Sequence, residues 1–219
     1  GVNMAEARRT FDALFLDCCR GRADLCTPLS LALTPKGPRP MTARKYNVLF
    51  ICTGNSARSI FAESILRDTA GDRFEVFSAG TRPRSELNPF ALEVLGQKGH
   101  DTSVLRAKNV AEFQGADAPK FDFVFTVCNQ AANEDCPAWS GQPVSAHWGM
   151  PDPVKAEGTD AQKALAFQQA YGALRNRIRV FAALPIDALD RISLQNAVDE
   201  IGRTPLDGGT PSTPEGEPA

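Results

Sequence analysis

Cys52-Thr53-Gly54-Asn55-Ser56-Ala57-Arg58-Ser59 decides how this chain folds. An apolar run, Val48-Leu49-Phe50-Ile51, precedes it, and a stretch of helical character, Ile60-Phe61-Ala62-Glu63-Ser64-Ile65-Leu66, follows it. A sulfur nucleophile is therefore expected at the end of a strand, with a guanidinium six residues on and a helix N-terminus beside both. An ordinary thiol, with a pKa of about 8.5, is only partly ionised at neutral pH. Inward-turned loop amides, the helix N-terminus and Arg58 are expected to lower the Cys52 value. Gly54 is expected to permit the tight backbone, and Asn55 is a residue type that tolerates positive φ. Ser59 can donate its hydroxyl to the thiolate. The amides of Thr53 to Ser59 would then hold the oxygens of a tetrahedral anion, and the planar fork of Arg58 would clamp two of them. Cys-x5-Arg alone is a weak signal in a chain of six cysteines. The strand before it, the helix after it and Gly-Asn inside it make it specific.

Outward from this loop the sequence alternates strand and helix. Asn47–Ile51, Phe74–Ser78, Phe121–Val127 and Gln142–His147 read as strands. Ser59–Ala70 and Asn88–Gln97 read as helices, the second with Pro89 in its first turn. A short helix is expected over Asn109–Phe113. Phe121 to Val127 is almost wholly apolar, which suits a strand buried on both faces. After Thr159 the residues Leu165, Tyr171, Leu174, Ile178 and Phe181 recur at helical steps, Pro185 ends the run, and Leu189 to Ile201 suggest a last helix. Such alternation predicts an α/β fold of three layers, a four-stranded parallel sheet flanked by helices. Its ligand site should form at the carboxyl ends of the strands, where Cys52, Cys128 and Asp152 all fall.

Three further features bear on chemistry. Asp152 lies in His147-Trp148-Gly149-Met150-Pro151-Asp152-Pro153, where two prolines stiffen the loop. It is the candidate general acid for a leaving oxygen, set against an ordinary turn aspartate. Cys128 and Cys136 bracket Asn129-Gln130-Ala131-Ala132-Asn133-Glu134-Asp135, which reads as an exposed loop able to bring first one thiol and then the other toward Cys52. The competing reading makes Cys128 a core residue. The spacing to His147 lacks the short cysteine pairs of structural zinc sites. His100 reads as a surface turn residue, and Arg175, Arg177 and Arg179 as the solvated face of a long helix.

The chain of 219 residues, 42% hydrophobic, holds enough for one domain with extensions. A net charge of −2 gives no broadly basic surface for nucleic acid. No apolar run approaches the roughly 20 residues that span a bilayer. Asp12 and Asp17 interrupt the apolar stretch from Phe11 to Cys19, so the N-terminus does not look secretory. A cytoplasmic location and reduced thiols are expected. The predicted organisation is an N-terminal extension and Pro-rich linker over 1–44, a catalytic domain over 45–203 and a disordered tail over 204–219. Met41 offers a second place for translation to begin.

Cys-Thr-Gly-Asn-Ser-Ala-Arg-Ser resembles the phosphate loop of low-molecular-weight protein tyrosine phosphatases and, more closely, of the arsenate reductases that share their fold. Ser78-Ala79-Gly80, Leu87-Asn88-Pro89, the Cys128/Cys136 loop and His147-Trp148-Gly149 with Asp152-Pro153 fit the reductase branch, over about Tyr46 to Gly202. The resemblance implies reduction of arsenate to arsenite, with phosphate or sulfate as mimics of the substrate. Cys52 would attack arsenate, Arg58 and the loop amides would stabilise charge, and Asp152 would protonate the departing oxygen. Cys128 would then attack Cys52, and Cys136 would take over the disulfide. No tightly bound cofactor is implied; electrons would come from thioredoxin or from a glutaredoxin or low-molecular-weight thiol system. Some relatives carry a monovalent cation near the residues matching Asn55, Glu63 and Ser78. The alternative is a tyrosine phosphatase, which needs only Cys52, Arg58 and Asp152. Val154-Lys155 stand where such phosphatases carry tyrosines.

Overall fold

The apolar run around Phe50 forms strand β1 (Tyr46–Cys52), whose last five residues are all buried. The computed structural model describes residues 44–115, 117–129, 131 and 139–205. Cys136, most of the expected N-terminal extension and the tail from 206 on lie outside the described residues. After β1 come α1 (Arg58–Ala70), β2 (Phe74–Gly80), α2 (Pro89–Gln97), β3 (Phe123–Thr126), β4 (Val144–His147), α3 (Asp160–Ala183) and α4 (Arg191–Arg203). The short helix expected before β3 is a single 3-10 turn, Val110–Phe113, closed by an Asn109/Glu112 capping box.

The four strands make one sheet in the order β2-β1-β3-β4, every neighbouring pair parallel. Parallel pairing puts all carboxyl ends on one edge. Cys52 pairs with Gly80, Ile51 with Thr126, and Thr126 with His147. Residues more than seventy positions apart are thereby brought to one rim. Phe181 of α3 meets the rings of Phe74, Phe123 and Phe125 on one face of the sheet. Phe77 meets Phe113 and Phe121 on the other. This gives the three layers. Phe61 joins α1 to α3 through edge contacts with Phe167 and Tyr171.

The helix boundaries follow local chemistry. The Asn88 side chain accepts from the Phe90 amide ahead of Pro89 at the start of α2. Thr159 and Gln162 form a capping box on α3, and Leu184-Pro185 end it. The apolar stripe of α3 is as expected from Tyr171 to Phe181, but Leu165 is 53% exposed and the buried face begins at Phe167. Among the described residues, no helix is long and apolar enough to cross a membrane.

Candidate active site

The loop from Cys52 to Arg58 is held by its carbonyls. Those of Cys52, Thr53, Gly54 and Ser56 accept hydrogen bonds of 2.9–3.1 Å from the amides of Thr81, Arg82, Arg84 and Asn88. The loop borders a cavity of about 340 Å³, and with its carbonyls committed elsewhere it can offer N–H groups to an anion there. The N-terminus of α1 opens at the same place, with no side chain capping it. Cys52, Thr53, Gly54, Ser56, Ala57 and Arg58 line the cavity together with Asp152. Asn55 and Ser59 are fully buried behind the loop. Asn55 takes the left-handed conformation, φ +42°, whereas Gly54 does not. The tight turn thus rests on the asparagine rather than on the expected glycine.

Behind the loop, an ordered chain of hydrogen bonds ends on the nucleophile. Asn55 Nδ2 can only donate, and it reaches Ser59 Oγ at 2.8 Å and Ser78 Oγ at 2.9 Å. The Ser59 hydroxyl is then free to donate to Cys52 Sγ, 2.9 Å away. Ser78 in turn donates its hydroxyl to the Glu63 carboxylate. The Asn55 backbone amide also donates to the sulfur, at 3.1 Å. Burial nonetheless pushes the Cys52 thiol up from its ordinary value, with Cys128 adding to the rise; the Ser59 hydroxyl and amide, and Arg58, act against it. The expected lowering is therefore overturned, because desolvation of an almost wholly enclosed sulfur outweighs the groups that favour the thiolate. Ser59 is the strongest of those groups. Ser59→Ala is accordingly expected to move the pH profile of Cys52 alkylation by iodoacetamide upward; an unshifted profile would contradict this account of the site.

Glu63, Asn55 and Ser78, the three residues of the implied cation site, do converge. Their atoms are already engaged, however. Lys108 Nζ stands 3.0 Å from Glu63 Oε2, its backbone N–H donates to Asn55 Oδ1 at 2.7 Å, and Arg67 pairs with the other Glu63 oxygen. Asn55 presents donors, not lone pairs, to the two serines. This donor set does not fit a resident metal ion; the buried ammonium of Lys108 supplies the positive charge instead.

Arg58 and Asp152 meet across the cavity, NH2 to Oδ2 at 2.7 Å. Arg58 NH1 also reaches the Met150 carbonyl at 3.3 Å. An oxyanion in the loop would share this guanidinium with Asp152, which places acid and substrate on one cation. Cys128 sits directly behind the loop wall: its Sγ is 3.4 Å from Thr53 Oγ1 and accepts from the Ala131 amide at 3.3 Å. Cys128 and Ala131 are each 1% exposed, whereas Asn129 between them is exposed as expected. His147 Nδ1 lies 2.8 Å from the Thr126 hydroxyl and Nε2 lies 3.0 Å from Asn129 Oδ1. Burial, and then the charge of Arg177, hold its pKa below the usual histidine value.

Two other readings are corrected. His100 is not a surface turn residue; its ring is enclosed between Asp68 of α1 and the Tyr171 hydroxyl of α3, the latter at 2.7 Å. Arg177 is buried, whereas Arg175 and Arg179 are exposed as expected. Lys108 was missed altogether. The available signal was Glu63, a carboxylate on the inward face of a helix, which demands a cation from somewhere.

Fold and site together define an α/β protein that presents a cysteine thiol, a guanidinium and a carboxylate to one cavity. The family model described as low molecular weight phosphotyrosine protein phosphatase matches residues 47–192, and the chain belongs to that family. An arsenate reductase of Halalkalibacterium halodurans is 36% identical over 135 residues, which cover 62% of this chain and 94% of that relative. A solved arsenate reductase in the phosphate binding state superposes with a TM-score of 0.50 at 25% identity, over 63% of this chain and 97% of that one. The tyrosine phosphatase Wzb of Escherichia coli K30, solved with sulphate, shares the fold with a TM-score of 0.51 at 18% identity, over 64% and 97%.

Proposed function

We propose that this protein reduces arsenate to arsenite through a relay of its own thiols. The observation that carries the proposal is the position of Cys128, whose buried sulfur stands against the Thr53 hydroxyl of the anion loop. Hydrolysis of a phosphate ester requires no second thiol there. The arsenate reductase relatives, at 36% identity, support the same choice. So does the cavity wall. Among the described residues it includes Val154, Lys155, Arg82 and Arg84 and no aromatic ring that could hold a phosphotyrosine.

The proposed steps are as follows. Cys52 Sγ attacks the arsenic of a bound arsenate, and Asp152 gives a proton to the departing oxygen, which leaves as water. Arg58, the loop amides and the α1 N-terminus stabilise the negative charge on the remaining oxygens. The Cys128 thiolate then attacks Cys52 Sγ. A sulfur–sulfur bond forms, the arsenic–sulfur bond breaks with its electron pair going to arsenic, and arsenite departs. Cys136 next attacks Cys128 and frees Cys52. An external dithiol such as thioredoxin, or a glutaredoxin with a small thiol, reduces the Cys128–Cys136 disulfide. Cys136 lies outside the described residues, and its role rests on the family resemblance. A cytoplasmic setting supplies such donors.

The test is arsenite production from arsenate, measured once with thioredoxin, its reductase and NADPH, and separately with glutathione plus glutaredoxin. Turnover with either is the expected result, and turnover with neither sinks the proposal. The second reading, a tyrosine phosphatase, draws on the meeting of Cys52, Arg58 and Asp152 in one cavity, which does not require Cys128. Rapid hydrolysis of phosphotyrosine peptides, unchanged by loss of Cys128, would favour it.

A further inference from the structure

Arg177 is 6% exposed on the buried stripe of α3, yet among the described residues no carboxylate pairs with it. Its partners are all main-chain carbonyls. NH1 donates to Trp148 O at 2.9 Å and Gly149 O at 3.1 Å; NH2 donates to Gly202 O at 2.9 Å and Thr204 O at 3.1 Å. Enclosing a guanidinium without a counter-ion is costly, and burial pulls its pKa below the usual arginine value. A hydrophobic side chain of similar size would fill the same space at lower cost. The arrangement therefore suits a fork that must hold two backbone segments at fixed separation rather than a core filler.

The segments it joins are informative. One is the C-terminal turn of α4. The other is the start of the loop that carries Asp152. Trp148 is fully buried, stacks on Phe125 with ring centroids 4.1 Å apart, and donates Nε1–H to Val198 O of α4 at 3.0 Å. Gly202 makes the close approach of α4 feasible: a Cβ there would lie 2.5 Å from His147 O and 2.9 Å from Trp148 Cδ1. Beyond Gly149 the next carbonyl, Met150 O, passes to Arg58, and Asp152 pairs with the same Arg58. Two guanidinium groups thus grip successive parts of one short loop, Arg177 from behind and Arg58 from the cavity.

We infer that Arg177 is a positioning residue for Asp152, its fork fixing the path of residues 148–150 so that the carboxylate reaches Arg58 and the bound anion. This rests on the reading of Asp152 as the proton donor. A displacement of about 1 Å at a reacting group costs on the order of 10²-fold in rate. Arg177→Met is accordingly expected to lower kcat for arsenite formation by about 10²-fold, with KM for arsenate little changed, because the anion loop does not touch Arg177. Arg177→Lys, which keeps the charge and can still reach a carbonyl, should recover part of the loss and guards against a variant that fails to fold. Gly202→Ala should disturb the same loop from the α4 side.

The deciding experiment is a double-mutant cycle on arsenite formation, with Asp152→Asn as the second change. If Arg177 acts through Asp152, Arg177→Met adds little to Asp152→Asn. Amide hydrogen exchange in 148–154 should also quicken in Arg177→Met while β1 stays protected. Full additivity with an impaired Asp152→Asn enzyme, or uniform quickening of exchange through the sheet, overturns the inference and leaves Arg177 a general stabiliser. An Asp152→Asn enzyme of undiminished rate instead removes the proton-donor reading itself.

Discussion

Cys128→Ala is expected to reduce arsenite formation by at least about 10³-fold, to the background of the assay, while hydrolysis of p-nitrophenyl phosphate stays within about threefold. The separation follows from where the sulfur sits. Cys128 does not line the cavity, so under the proposed mechanism a phosphate ester would bind, be attacked by Cys52 and be protonated by Asp152 without it. Reduction is different, because two electrons must come from a second sulfur. The proposal gives this role to Cys128, whose Sγ lies 3.4 Å from Thr53 Oγ1 of the loop and accepts from the Ala131 amide. Cys128→Ser should behave as alanine does, since an alkoxide cannot take part in disulfide exchange. Loss of both activities together, with a lowered Tm, would mean that Cys128 is a core residue. Survival of reduction would remove Cys128 from the relay.

Arg58→Lys is expected to lower kcat/KM for arsenate and for phosphate esters alike, by about 10²–10³-fold. Charge is conserved in this substitution, so the loss measures geometry. The guanidinium donates to Met150 O through NH1 and pairs with Asp152 through NH2. A planar fork can turn two parallel N–H bonds onto an oxyanion while keeping its neighbours in place; an ammonium is a point charge on a flexible stem. Lysine would also leave Asp152 without its fixed partner. A loss below about fivefold would show that the loop amides and the α1 N-terminus alone carry the anion.

The strands were legible because a parallel sheet buried on both faces writes itself as apolar runs, and Val48–Ile51 and Phe121–Val127 are such runs. The loop was legible because its chemistry is local: sulfur, Gly-Asn, guanidinium and helix start lie within eight residues. What surrounds it was not, because its partners are distant. Lys108 reaches Glu63 across 45 positions and His100 reaches Tyr171 across 71, and no local pattern links either pair. Arg177 is a different kind of miss. It lies three residues after Leu174 and four before Phe181, squarely on the buried stripe, so periodicity pointed inward while side-chain charge pointed outward. Position was the better guide. The pKa of Cys52 failed for a further reason: the loop shows which groups favour the thiolate, but only the fold shows how completely the sulfur is enclosed.

That enclosure has a bearing on life in an oxidising world. Cys52 is 3% exposed and Cys128 1% exposed. Peroxide attacks a cysteine in proportion to its thiolate character and its access, and both sulfurs have little exposed surface. Cys128, which does not line the cavity, is the better sheltered of the two from sulfenic and sulfinic acid formation. A tetrahedral anion that settles on the loop amides is small enough to reach Cys52 directly. Of these two sulfurs, Cys52 is the one that meets whatever enters the cavity, and Cys128 is held in reserve behind it.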